Sequence, residues 1–202
     1  MHNFKLNLKK ILVVVMFFLF AHAGISQGRT IGITLGANAN DVEGKVETQF
    51  QYHDSTIGAG IGGQLMADNY SFFNINVDIR DQLFIPPLTL GLGFKGVVGG
   101  AEKYGTDFDL GAVAFNVFGE YDFRAVYANL PITVGASVAL APKPLCFRDT
   151  EKYSELCGNV SFYIVKNAAI FVAYKKISSE FDDAGKTSVA DDALYLGFKI
   201  GY

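Results

Sequence analysis

Apolar and polar side chains alternate one by one through most of the chain after Gly24. In one stretch Val46, Thr48, Phe50 and Tyr52 oppose Glu47, Gln49 and Gln51, and in another Phe73, Ile75, Val77 and Ile79 oppose Asn74, Asn76, Asp78 and Arg80. A third sets Leu88, Leu90, Leu92 and Phe94 against Thr89, Gly91, Gly93 and Lys95. Period two is the signature of a strand, whose successive side chains point to opposite faces. Ten segments follow, separated by Gly, Asp, Asn and Pro clusters: Arg29–Ala37, Lys45–Tyr52, Thr56–Ala67, Tyr70–Arg80, Leu88–Val98, Phe108–Tyr121, Ala128–Leu140, Tyr153–Ile164, Ala169–Ile177 and Ala193–Tyr202. In the sixth both faces are largely apolar, so the pattern does not choose an inner side.

Most of these segments run nine to thirteen residues, whereas strands of soluble proteins average about 5–6 and a tilted strand needs about 9–11 to cross a bilayer. Backbone N–H and C=O groups in hydrocarbon must all be paired, so a spanning sheet has to close on itself. The expected fold is therefore all-β, an antiparallel transmembrane β-barrel of eight to ten strands, with ten adopted. Its greasy face meets lipid, and its Gly, Thr, Asn and Ser face, with Asp78, Lys95 and Lys199, lines a narrow interior. A soluble periplasmic barrel with the greasy face inside is the competing architecture. Counted back from the carboxy-terminus, long outer loops (Ser178–Asp192, Ala141–Lys152) are expected to alternate with short periplasmic turns (Val165–Ala168).

The closing residues 194–202 carry Leu194, Leu196, Phe198, Ile200 and Tyr202 on one face and Tyr195, Gly197, Lys199 and Gly201 on the other. Tyr195, Gly197, Ile200 and Tyr202 fit the ending by which outer-membrane barrels address the barrel assembly machinery. At the other end, Lys5, Lys9 and Lys10 precede the apolar run 11–20, and Ala21-His22-Ala23 forms an A-x-A cleavage site. This predicts a secretory signal peptide over residues 1–23 and a barrel over 24–202. Neither Cys146 nor Cys157 lies near the cleavage region, so no lipid anchor is expected.

Cleavage would leave 179 residues with 14 basic and 20 acidic side chains, a net charge of −6. That balance argues against nucleic acid as a partner, because neutralising a phosphate backbone takes a basic patch. Outer-membrane lipids and lipopolysaccharide are the expected surroundings. With no tryptophan but 18 phenylalanines and 10 tyrosines, interfacial belts must come from Phe and Tyr. Tyr153, Tyr174 and Tyr202 near strand ends fit such belts, while alternation turns Tyr163 and Tyr195 inward.

Tyr153-Ser-Glu155, Asn167 to Ile177 and the closing Leu194 to Tyr202 resemble the YfaZ family of small Gram-negative outer-membrane proteins. The likeness covers roughly residues 127–202, and Ala173-Tyr174-Lys175 stands where that family has Gly-Tyr-Arg. The resemblance implies an exported outer-membrane barrel without established catalytic residues.

The cysteines bracket residues 147–156, and an oxidising compartment makes a Cys146–Cys157 disulfide the expected state. They are too few for a structural zinc site, and the one histidine after the signal segment, His53, is distant in sequence. His53-Asp54-Ser55 spells a triad, but three consecutive turn residues cannot present base, orienter and nucleophile to each other. Gly58-Ala-Gly60-Ile-Gly62-Gly63 spells part of a dinucleotide fingerprint without the helix that would receive the pyrophosphate. No cofactor and no metal is expected. The functions left are a structural barrel or a narrow porin-like pore for small solutes. An outer-membrane enzyme acting on lipid or lipopolysaccharide and a surface adhesion module are the alternatives.

Overall fold

The computed structural model describes residues 29–53, 55–66, 70–82, 85–103, 105–127, 129–182 and 187–201. The signal segment with Ala21 and Ala23, and the terminal Tyr202, lie outside them. The ten strands are β1 (Arg29–Ala37), β2 (Asp41–Tyr52), β3 (Ser55–Met66), β4 (Tyr70–Gln82), β5 (Leu88–Lys103), β6 (Thr106–Asp122), β7 (Ile132–Ala141), β8 (Thr150–Val165), β9 (Ala168–Phe181) and β10 (Thr187–Gly201). Each pairs antiparallel with its sequence neighbours, and β1 closes on β10 from Gly32↔Gly201 to Ala37↔Leu196, so no edge remains. The amino- and carboxy-terminal strands begin and end at the same rim, here called the near rim.

The exterior is apolar. Along β4 the outward Phe73, Ile75, Val77 and Ile79 are 44–53% exposed, and along β10 Leu194 and Leu196 exceed 60%. Surface of this kind wrapped continuously around a closed barrel is stable against hydrocarbon, where the same side chains would cost free energy in water. The soluble architecture with its greasy face inside is thereby corrected.

The expected alternation of long outer loops and short inner turns is also corrected. Successive strands are separated in sequence by 3, 3, 2, 8 and 5 residues where they meet at the far rim, and by 2, 5, 9 and 2 residues where they meet at the near rim. Residues assigned to long loops continue as strand. Strands β9 and β10 stay in register up to Phe181↔Thr187, and β5 and β6 up to Lys103↔Thr106, where Gly105 turns at φ 77. On these extensions the lateral face becomes polar, with Lys176, Ser178 and Glu180 above Tyr174 on β9, while the inward face turns apolar through Ile177 and Phe181. A paired sheet with its own apolar filling needs no membrane to hold it together, so the hairpins rise beyond the lipid band as a collar.

β7 is too short to reach into this collar, pairing with β6 only from Asp122↔Thr133 to Phe115↔Leu140. The β7–β8 connection takes its place. It contains a 3-10 turn, Lys143–Leu145, then lays Cys146 opposite Ala112, donates from Phe147 N to Gly111 O at 3.0 Å, and returns Asp149 Oδ2 to Asp109 N at 2.9 Å. Gly111 is required there, because a Cβ would come within 2.5 Å of the Phe147 ring.

Candidate functional site: a lumen closed at one end

Three storeys fill the barrel. At the far rim the inward side chains form an apolar plug: Tyr70, Leu110, Tyr153, Ile177, Phe181 and Val189 are each at most 2% exposed. Phe108 and Phe181 stack at 4.9 Å between centroids, and the Tyr70 hydroxyl donates to Val189 O at 2.8 Å across 119 residues of sequence.

Below the plug lies a layer of charge-assisted hydrogen bonds between strands that are not neighbours. Lys95 Nζ on β5 meets Glu155 Oε2 on β8 at 2.5 Å, and the same carboxylate oxygen accepts from the Tyr153 hydroxyl at 2.5 Å. Lys175 on β9 pairs with Glu43 on β2 and donates to Gln64 Oε1 on β3 at 3.2 Å. Gln64 Nε2 in turn donates to the Tyr195 hydroxyl, which reaches Asp41 Oδ2 at 3.4 Å. Gln64 is 2% exposed and Tyr195 0%. Charges this deeply buried are tolerable because each has an opposite partner and further hydrogen bonds.

From this layer to the near rim the lumen is open. The cavity measures about 1160 Å³ and reaches rim residues such as Gln51, Asp81, Gln82, Lys166 and Gly201. Its β2–β4 wall carries one connected network. Lys45 and Gln49 bond to Glu47, Arg80 Nη1 reaches Glu47 Oε1 at 3.0 Å, Arg80 Nη2 lies 2.6 Å from Asp78 Oδ1, and Asn76 Nδ2 donates to Asp78 Oδ2 at 3.2 Å. The glycines of β3 let these side chains lie flat. A Cβ on Gly58 would stand 2.4 Å from Arg80 Nη2, and one on Gly60 2.7 Å from Asn76 Oδ1. At the opposite side of the mouth, Arg124 sits 3.5 Å above the Tyr163 ring while held by Asp122, and Lys199 lies 5.1 Å from the same ring, 3.5 Å from Thr133 Oγ1. Arg124 belongs to a second 3-10 turn, Phe123–Ala125, capped by the Asp122 side chain.

Asp78, Lys95 and Lys199 face the interior, as the alternation predicts, but as floor and wall of different storeys. Tyr195 and Gly197 face inward, Gly197 under the Phe171 ring, and Ile200 faces outward. Tyr153 is 1% exposed and belongs to the plug, which corrects its assignment to an aromatic belt; Tyr174 faces outward at 41%. His53 occupies the β2–β3 turn at φ 56, its ring edge-on to Tyr52.

The structure does not show the expected disulfide: Cys146 and Cys157 are both free thiols in it. Cys146 Sγ donates to Ala141 O at 3.4 Å, and Ala141 pairs with Tyr153, four residues before Cys157 along β8. At about 3.3 Å per residue this separates the levels of the two cysteines by about 13 Å, beyond the roughly 7 Å between Cα atoms that a bridge tolerates. Burial pushes the Cys146 thiol above its ordinary pKa.

Gln64 and Glu43 carry no sequence signal of their own, and Glu155 and Lys175 stand out only within the family resemblance. Their inward placement follows from the alternation, but their partners follow only from closure.

No sequence family and no curated protein matches the chain. Among solved structures it is similar to the NanC porin (8% identity, 86% of this chain and 99% of that one, TM-score 0.49) and to the KdgM porin (10% identity, 85% and 96%, TM-score 0.43). It is also similar to Neisserial surface protein A (8% identity, 85% and 93%, TM-score 0.35). At such values no solute or activity passes from these proteins to this chain.

Proposed function

We propose that this protein is a small outer-membrane barrel that keeps its lumen shut at the far rim and holds a polar vestibule open at the near rim. The observation that carries this reading is the buried layer Lys95–Glu155, Lys175–Glu43 and Gln64–Tyr195 beneath an apolar plug. Both ends of the strand array lie at the near rim, and bacterial barrels generally keep both chain ends periplasmic. The vestibule then faces the periplasm, and the collar faces the outside among lipopolysaccharide headgroups. Gly197, Ile200 and Tyr202 keep their proposed role as the signal read by the assembly machinery. A barrel of this size is usually filled by its own side chains, whereas open aqueous channels belong to barrels of about 16 strands.

Planar bilayer recording tests the closed end. Purified barrel that shows heat-modifiable gel mobility is expected to give no conductance steps in concentrated potassium chloride. Regular single-channel steps would replace this reading with that of a narrow pore, and recovery of the protein as a soluble periplasmic species would remove the membrane reading altogether.

A further inference from the structure

The vestibule wall from β2 to β6 is laid out in rows across the sheet. Gln49, Gly58, Asp78, Gly93 and Asn116 form one row, and Gln51, Thr56, Arg80, Gly91 and Phe118 the next one toward the mouth. Inward side chains lean along the sheet, and Arg80 and Asp78 lie over Gly58 as Phe118 lies over Gly91. The Phe118 ring lies against Gly91, whose Cβ would be 2.2 Å from Cζ, and the Arg80 guanidinium sits over the ring, 5.0 Å from its centroid. Asn76, one row deeper, is 6% exposed; its Nδ2 is used by Asp78, and its Oδ1 has no hydrogen-bond partner among the described residues. This oxygen lies against Gly60, where a Cβ would stand 2.7 Å from it.

The charges on this wall already satisfy one another: Arg80 bridges Glu47 and Asp78, and Lys45 holds Glu47. A strongly charged ligand would have to break these pairs. A neutral ligand with several hydroxyls instead uses what they leave open, because each carboxylate and amide oxygen has further lone pairs and the amides of Gln49, Asn76 and Asn116 both donate and accept. The half-buried ring of Phe118, with Arg80 over it, still offers apolar surface for the C–H side of such a molecule. The cavity, about 1160 Å³, slightly exceeds the usual range of small-molecule sites, about 300–1,000 Å³.

We propose that the β2–β6 wall of the vestibule is a binding site for a neutral polyhydroxylated ligand, a saccharide of a few units. The half-buried Gln49 and Asn116 meet its hydroxyls, and Phe118 packs against a ring. The site rests on the vestibule being open at the near rim and not on the far rim being shut.

Saturation-transfer NMR and calorimetry on the full barrel in detergent, with maltotriose as probe, test the site. Maltotriose is expected to receive saturation. Its Kd should rise at least tenfold in Asn116→Leu and in Phe118→Ala, and stay within twofold in Lys176→Ala, on the collar exterior. Asn116 and Phe118 lie outside the ion-pair network, and heat-modifiable mobility verifies that each variant is folded. No transfer to folded wild-type barrel overturns the site, as does binding that survives both lumen variants or a preference for glucuronate over maltotriose. A conducting barrel that binds maltotriose would remove the closed-end reading and leave this site standing, and a silent barrel that does not bind would do the reverse.

Discussion

Lys95 Nζ lies 2.5 Å from Glu155 Oε2, joining β5 to β8 through the middle of the barrel across 60 positions of sequence. The pair sits where the apolar plug ends and the vestibule begins. Because Glu155 also accepts from Tyr153, removing the lysine leaves a buried carboxylate with one neutral donor and the more distant Lys175. Lys95→Met is expected to destabilise the barrel by about 3–5 kcal/mol, while Lys95→Met with Glu155→Leu should recover most of the loss. The midpoint of urea unfolding in lipid vesicles measures both; equal losses in the single and double variants would contradict the pairing.

Phe181 is fully buried and stacks on Phe108 in the collar. Phe181→Ala is predicted to cost about 3–5 kcal/mol and to open the β9–β10 hairpin to added protease. An unchanged cleavage pattern would show that the collar does not depend on its own apolar filling.

Val77 stands midway along the outward run of β4, and Lys176 lies just beyond the apolar band on β9. A lysine at the bilayer midplane costs about 2–4 kcal/mol, falling to about 0–1 near the interface. Val77→Lys should therefore be strongly destabilising, and Lys176→Val nearly neutral. Similar effects from the two would put the edge of the lipid band elsewhere than between Tyr174 and Lys176.

The thiols give a chemical check. Wild-type protein prepared without reductant should titrate two free thiols and migrate identically with and without reducing agent. Because burial raises the Cys146 pKa, its thiolate fraction at neutral pH is lower than that of an exposed cysteine. Its maleimide labelling should be slow at pH 7 and accelerate as pH rises through the raised pKa. A mobility shift on reduction would restore the disulfide.

Two glycines separate fit from freedom. A Cβ on Gly93 would stand 2.1 Å from Val77 O, whereas one on Gly158 meets nothing within 4 Å. Gly93→Ala must displace backbone and should lower stability and yield of folded barrel. Gly158→Ala should be neutral or stabilising by about 0.4–1 kcal/mol through the unfolded chain. Circular-dichroism melts of the two variants distinguish these outcomes.

The alternation of residues by itself determined an antiparallel barrel of eight to ten strands, most strand boundaries to within a few positions, and which side meets lipid wherever one face is polar; β1 matches at both ends. That was legible because a strand's two faces are written one residue at a time. Where both faces are apolar, as in β6, the pattern is silent, and tertiary structure turned Phe108, Leu110, Ala112 and Ala114 inward while Phe115 and Val117 went to lipid. The same apolar interior lets residues that read as loop continue as paired strand beyond the band. Barrel closure also chose the partners Lys95–Glu155, Lys175–Glu43 and Gln64–Tyr195, and kept Cys146 a level above Cys157. Such pairs depend on how strands far apart in sequence meet around a closed circumference, a geometry that no local spacing encodes.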